Sequence, residues 1–197
     1  AKSAATLMAL AGDEIVMGET SEIGPIDAQL NIIQDGMPQQ VSADHFLRAE
    51  QEATNKLVSN LPAVVEAGRL QLASLSPALL QLCRDSQEFA KQFGSRQLRS
   101  HMFAAECLAD EATWRSQIGK IVDNLTASSK HLSHGKMITA ADIKADDDLK
   151  CLKILSLGDS DPYWLALDDL LHRTDIVAKS QQFGKVLMAR DFQMVGM

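Results

Sequence analysis

Aromatic residues are scarce: Phe, Trp and Tyr together make up 5% of the 197 residues. A surface that holds nucleic acid by stacking on its bases needs more of them. An excess of positive charge is missing as well. Lys and Arg number 19 against 26 Asp and Glu, a formal net charge of −7, so the chain has no general electrostatic hold on phosphates and nucleic acid is excluded as a partner. Cysteine occurs three times, as Cys83, Cys107 and Cys151, at wide spacings and in no Cys-x-x-Cys pair. That pattern fits buried or free thiols in a reducing compartment, not a disulfide framework. His131 and His134 are the one close histidine pair, and no Glu or Cys nearby completes a metal-ligand set, so no metal is expected. The chain has no Gly-x-Gly-x-x-Gly, and no nicotinamide or other nucleotide cofactor is expected. No window approaches the ~18 consecutive apolar residues of a membrane span. No secretory signal opens the sequence either.

The residues that are present suit a folded domain. Hydrophobic residues make up 46% and charged residues 23%, enough to bury a core within one domain of ordinary size. Ala4 to Ala11 is a run of small and apolar residues that reads as a tightly packed helix, ended by Gly12. Ile15-Val16-Met17 comes next as a short buried strand. Gly24, Pro25 and Asp27 make Thr20 to Leu30 a loop, Asn31 to Ile33 a brief extended piece, and Asp35-Gly36 a turn. Helix, strand, loop and strand in this order belong to an α/β domain.

From Ser42 onward the pattern becomes helical. Ser42 is a helix cap, Pro62 interrupts the first run, and Gly68 is a weak point in the second. Ser76-Pro77 starts a new helix. Gly94 is expected to break it, with a further helix over Arg96 to Leu108. Asp110 caps a helix through Leu125. Thr139 with Asp142 forms a capping box. Leu149 to Leu155 reads as a strand, Gly158 to Pro162 as a loop, and Tyr163 to Ser180 as a final amphipathic helix. Lys185 to Ala189 fits strand or helix. The organisation is thus an α/β segment over residues 1–40, a helical region over 41–125, and an α/β and helical segment of the same domain over 126–197.

Chemistry concentrates at the start. Ser3 stands at the first turn of the small-residue helix. Backbone N–H groups at a helix start lack partners and carry partial positive charge. A serine there can attack a carbonyl while a neighbouring N–H holds the developing oxyanion. Ala4 and Ala5 leave room for a substrate backbone. Serines at helix starts also serve as plain caps, so position alone does not make Ser3 a nucleophile.

The residues around it carry a resemblance. Ser3-Ala4-Ala5-Thr6, Ala11, Asp13-Glu14-Ile15-Val16-Met17, and Ile23-Gly24-Pro25-Ile26-Asp27 with Gln29 resemble the nucleophile segment of the ClpP-class serine peptidases. The likeness points to the serine dehydrogenase proteinase family, which is related to signal peptide peptidase A. Ala28 departs from that pattern, which has Pro there. A looser likeness to the same family runs through Leu125-Thr126, His134-Gly135, Ile138 and Ala141, and the acidic amphipathic stretch from Leu165 to Asp175 suits its C-terminal helix. Val41 to Gln117 carries no resemblance that can be named. The resemblance implies a ClpP/crotonase-like α/β fold with a large helical portion, of which this chain is the C-terminal part. It also implies hydrolysis of peptide bonds in a peptide or protein substrate.

Residue by residue, the resemblance implies Ser3 as nucleophile, Ala4 N–H as an oxyanion donor, and His134 as general base with Asp27 behind it. A serine needs such a base to react at neutral pH. The Asp27 loop also fits a plain Asx-type turn, and His134 a plain loop histidine. The signal-peptide-peptidase A branch uses a lysine instead. Lys56, on a helical segment about fifty residues after Ser3, is the alternative base, although the residues that surround that branch's lysine are absent here. The chain opens within a helix without an initiator Met, so the other oxyanion donor, a glycine-rich turn, is expected upstream, as is any membrane-associating segment. Localisation is expected to be cytoplasmic or membrane-associated. By analogy with the fold class the protein is expected to form a homo-oligomer. Two rivals remain: a catalytically inactive ClpP-like scaffold or assembly subunit, and a crotonase-like acyl-CoA enzyme.

Overall fold

The computed structural model describes residues 4–26, 28–34, 36–126, 137–180, 185–189 and 192–196. The chain is mixed α/β, dominated by helix, with four two-stranded sheets among the described residues. It divides into two compact units. The first comprises residues 1–15 and 21–154, the second residues 16–20 and 155–197.

The first unit begins with helix α1 (Ala4–Ala9) and the start of strand β1 (Ile15–Met17). The Thr20–Leu30 segment is more ordered than its turn residues suggest. Glu22–Ile23 forms strand β2, which pairs antiparallel with β5 (Ile138–Thr139), Ile23 opposite Ile138. Strands β3 (Gln29–Gln34) and β4 (Met37–Ser42) make a hairpin with Gly36 at φ +76° in its turn, a left-handed conformation that glycine adopts without strain. Ser42 caps α2 (Ala43–Leu57), its hydroxyl accepting from Asp44 N–H at 3.3 Å. Helix α3 (Pro62–Ser74) begins at the proline that ends the previous run.

Ser76 caps α4 (Pro77–Ser100). This helix does not break at Gly94. It runs on to Ser100, because Gly94 is buried where α4 meets its neighbours, and packing outweighs the weak helix propensity of one glycine. The expected helix over Arg96 to Leu108 is correspondingly split: its first residues belong to α4, residues 101–103 turn, and α5 covers Ala104–Ala109. Asp110 caps α6 (Glu111–Thr126) by accepting from Thr113 N–H. The capping box of Thr139 and Asp142 opens α7 (Ala140–Ala145) as expected. Leu149 to Leu155 is turn rather than strand up to Leu152, and strand β6 covers Ile154–Ser156. Asp146 explains the turn: its carboxylate accepts from Asp148 N–H and Leu149 N–H, which closes the chain locally.

Strands β1 and β6 pair. Ile15 N–H donates to Lys153 O and Leu157 N–H donates to Met17 O, each at 2.9 Å. The core of the first unit draws on α4, the turn after it and α6. Leu98, Phe103, Ile118, Ile121 and Leu125 are almost fully buried, and Phe103 stacks on Trp114 with ring centroids 4.6 Å apart.

In the second unit, Asp161 accepts from Tyr163 N–H at 2.8 Å and starts α8 (Pro162–Ser180). Trp164 lies against Gly18, where a Cβ would come within 2.4 Å of the indole. None of the residues of α8 is buried. Lys185–Ala189 is strand, β7, and it forms an antiparallel hairpin with β8 (Phe192–Gly196). No helix among the described residues is long and apolar enough to cross a membrane.

Candidate active site

Ser3, Asp27 and His134 lie outside the described residues, and so does His131. Described residues on either side of them in the chain converge. Thr6, one turn after Ser3, is fully buried on α1. Its hydroxyl donates to Gly24 O at 2.9 Å and accepts from Gly24 N–H at 3.2 Å. One side chain therefore satisfies both backbone groups of a loop glycine, which fixes the distance between α1 and the Gly24-Pro25-Ile26 segment. Ile26, immediately before Asp27, is buried, and its N–H donates to Leu125 O at 3.0 Å near the end of α6. Ile23 pairs with Ile138 across β2 and β5. Leu125 and Ile138 flank the segment that carries His134. The five residues from Glu22 to Ile26 thus hold α1, the end of α6 and the start of β5 together.

A cleft opens at this junction. It has a volume of about 470 Å³ and is lined by Ala4 and Leu7 of α1, by Ile26 and Ala28, and by Phe89 and Ala90 of α4 among others. Leu7, Ile26, Phe89 and Ala90 give it an apolar part, and Gln29, Asp85 and Ser86 give it a polar one. Ala4 and Ala28, the residues beside Ser3 and Asp27 in the chain, both face it. Gly94 underlies the same junction. A Cβ there would stand 3.5 Å from Leu7 and 3.6 Å from Ile26 and Val122, so α1, the loop and α6 all meet α4 at this residue.

Helix α1 spans six residues, too few for a large macrodipole. Lys56, the alternative base, is at the crossing of α2 and α3. Its ammonium pairs with Glu52 at 2.7 Å and donates to Gln71 Oε1 at 3.0 Å, and its stem packs beside Gly68. Its hydrogen bonds are thus given to groups of α2 and α3.

Among the described residues no three His, Cys, Asp or Glu side chains come close enough to hold a metal ion. All three cysteines are unpaired. Cys83 is buried in α4, and that burial pushes its thiol pKa up, the property of an inert core thiol. Two contributors to the junction went unrecognised in the sequence. Thr6 stands as a polar residue within a run of Ala, Leu and Met, a signal of a buried hydrogen bond. Phe89 and Ala90 lie sixty residues beyond the motif, and no local pattern connects them to it.

The chain matches no family model, no curated protein and no solved structure.

Proposed function

We infer that the protein is a serine peptidase of ClpP/crotonase-like fold. The observation that carries this reading is the convergence on Glu22–Ile26. Thr6, three residues after Ser3, and Leu125 and Ile138, which bracket the chain segment containing His134, are all bonded to five consecutive residues that precede Asp27. A cleft lined by Ala4, Ile26 and Ala28 among others opens there. The mixture of helices with small sheets supports an α/β fold.

In this mechanism Ser3 Oγ attacks the scissile carbonyl while His134 takes its proton. Asp27 orients the imidazole and stabilises the imidazolium. Ala4 N–H donates to the oxyanion of the tetrahedral intermediate. Collapse breaks the C–N bond, the leaving amine takes the proton back from His134, and water then hydrolyses the ester on Ser3 by the same steps. The apolar part of the cleft holds a side chain next to the scissile bond. Lys56 has no part in this chemistry.

A fluorophosphonate probe tests the reading. The protein labels on Ser3, Ser3→Ala abolishes the label, and His134→Ala slows peptide hydrolysis by about 10²–10⁴-fold. Lys56→Ala leaves labelling intact. Absence of a Ser3-dependent label removes the peptidase assignment, and loss of labelling in Lys56→Ala moves the base from His134 to lysine.

A further inference from the structure

The cleft beside Ala4 continues along α4. Phe89 belongs to its wall and is 67% exposed, a large apolar surface left open to solvent. Phe93 stands one turn on, with ring centroids 6.1 Å apart. The Arg96 guanidinium carbon lies 5.4 Å from the Phe93 ring centre. Residues at i, i+4 and i+7 share one helix face, and Phe89, Phe93 and Arg96 with Gln92 line a second hollow of about 170 Å³. Phe89 is common to both hollows, so the two form one strip along α4.

Charge marks the far end of the strip. Lys91 pairs with Asp123 at 2.6 Å and Arg99 pairs with Glu111 at 2.9 Å, so the cations on either side are compensated. Glu88, the nearest acid on α4, accepts from Gln92. Arg96 pairs with no carboxylate among the described residues. Its guanidinium is held over an aromatic ring, in a chain whose net charge is −7. An arginine stacked in this way keeps an edge of N–H donors free for a carboxylate. From Phe89 to Arg96 the helix rises about 10 Å. An extended peptide covers that distance in roughly three residues.

We propose that this face of α4 is a substrate track. It takes an extended peptide with an apolar side chain in the cleft beside Ala4 and a carboxylate about three residues away on Arg96. The carboxylate is that of an acidic side chain or of a peptide C-terminus. The assignment of the bound peptide as substrate rests on the peptidase reading; binding itself does not.

Binding and turnover are therefore measured separately. Fluorescent peptides carry a Leu with a Glu three residues before or after it, with Glu→Gln and Glu→Lys counterparts and with a free or amidated C-terminus. Their binding is followed by polarisation on the Ser3→Ala protein and their cleavage on the unaltered protein. The Glu peptide is expected to bind about tenfold more tightly than the Gln peptide, the size of one charge-assisted contact, with the difference shrinking at high salt. Arg96→Glu reverses the preference in favour of the Lys peptide. Phe89→Ala weakens Glu and Gln peptides alike. Both side chains are exposed, and circular dichroism checks that the variants fold. A preference that amidation abolishes assigns the carboxylate to a peptide terminus, and one that survives amidation assigns it to a side chain. Charge-dependent binding without cleavage upholds the track and removes the peptidase reading. Cleavage without charge dependence does the reverse. No peptide binding, or a Glu-to-Lys ratio unmoved by Arg96→Glu, overturns the proposal.

Discussion

Gly68 and Gly94 both lie inside long helices and both are buried, yet they serve different contacts. At Gly68 in α3 a Cβ would come within 2.8 Å of Ala53 O and 2.8 Å of the Lys56 Cβ. Helices α2 and α3 cross there backbone against backbone, and only glycine permits it. At Gly94 in α4 the nearest atoms are the tips of Leu7, Ile26 and Val122, at 3.5–3.6 Å. That is ordinary packing distance, so a methyl group fits. The α2–α3 pair depends on its glycine for closeness. The junction beneath the candidate active site depends on side chains for its fit, with Thr6 tying α1 to the loop.

Substitutions at these sites test that difference, beginning with the largest expected effect. Gly94→Leu pushes branches into Leu7, Ile26 and Val122; it is expected to destabilise by about 1–3 kcal/mol and to distort the cleft. Urea unfolding and peptide binding measure the two effects, and an unchanged midpoint contradicts the packing described. Gly68→Ala forces α2 and α3 apart and is expected to cost roughly 1–2 kcal/mol, without loss of peptide binding. Thr6→Val leaves Gly24 N–H and C=O without their partner, at a cost of about 1–3 kcal/mol. Because that bond holds α1 to the Asp27 loop, peptide binding falls with it. Gly94→Ala runs the other way: alanine's better helix propensity adds ~0.5–1 kcal/mol. A loss of stability in Gly94→Ala shows instead that α4 crosses its neighbours as closely as α3 does.

The smallest effect concerns pH. The hydrogen bond from Lys153 to Glu106, at 2.7 Å, holds the Glu106 carboxyl below the usual glutamate range. A carboxyl with a lowered folded pKa contributes stability above its unfolded pKa and loses it as pH falls through the folded one. Glu106→Gln therefore removes a small part of the acid-side decline in stability and leaves its alkaline side unchanged. Urea midpoints from neutral pH down through the carboxylate range read this out.

Local signals were legible wherever the physics is local. Ser42, Ser76 with Pro77, Asp110, and Thr139 with Asp142 each announce a helix start, because a cap bonds to N–H groups two or three residues on. Ile15 to Met17 reads as strand from its apolar run. Gly94 misleads because its weak helix propensity is visible in the sequence and its burial is not. The Glu22–Ile23 strand hides among turn residues because its partner, Ile138–Thr139, is more than a hundred residues away.

The candidate site divides in the same way. The sequence marked Ser3, Ala4 and Asp27 through one short run of residues and His134 through a looser likeness further on, and it set the charge balance and the helix starts. The tertiary structure decided that Thr6, Leu125 and Ile138 meet on one five-residue segment. It also set Lys56 at a helix crossing among Glu52 and Gln71, and it brought Phe89 and Ala90 of α4 to the cleft beside Ala4. Caps and turns act within a few residues, so the sequence shows them. Junctions and clefts are made by residues far apart in the chain, and only packing brings them together.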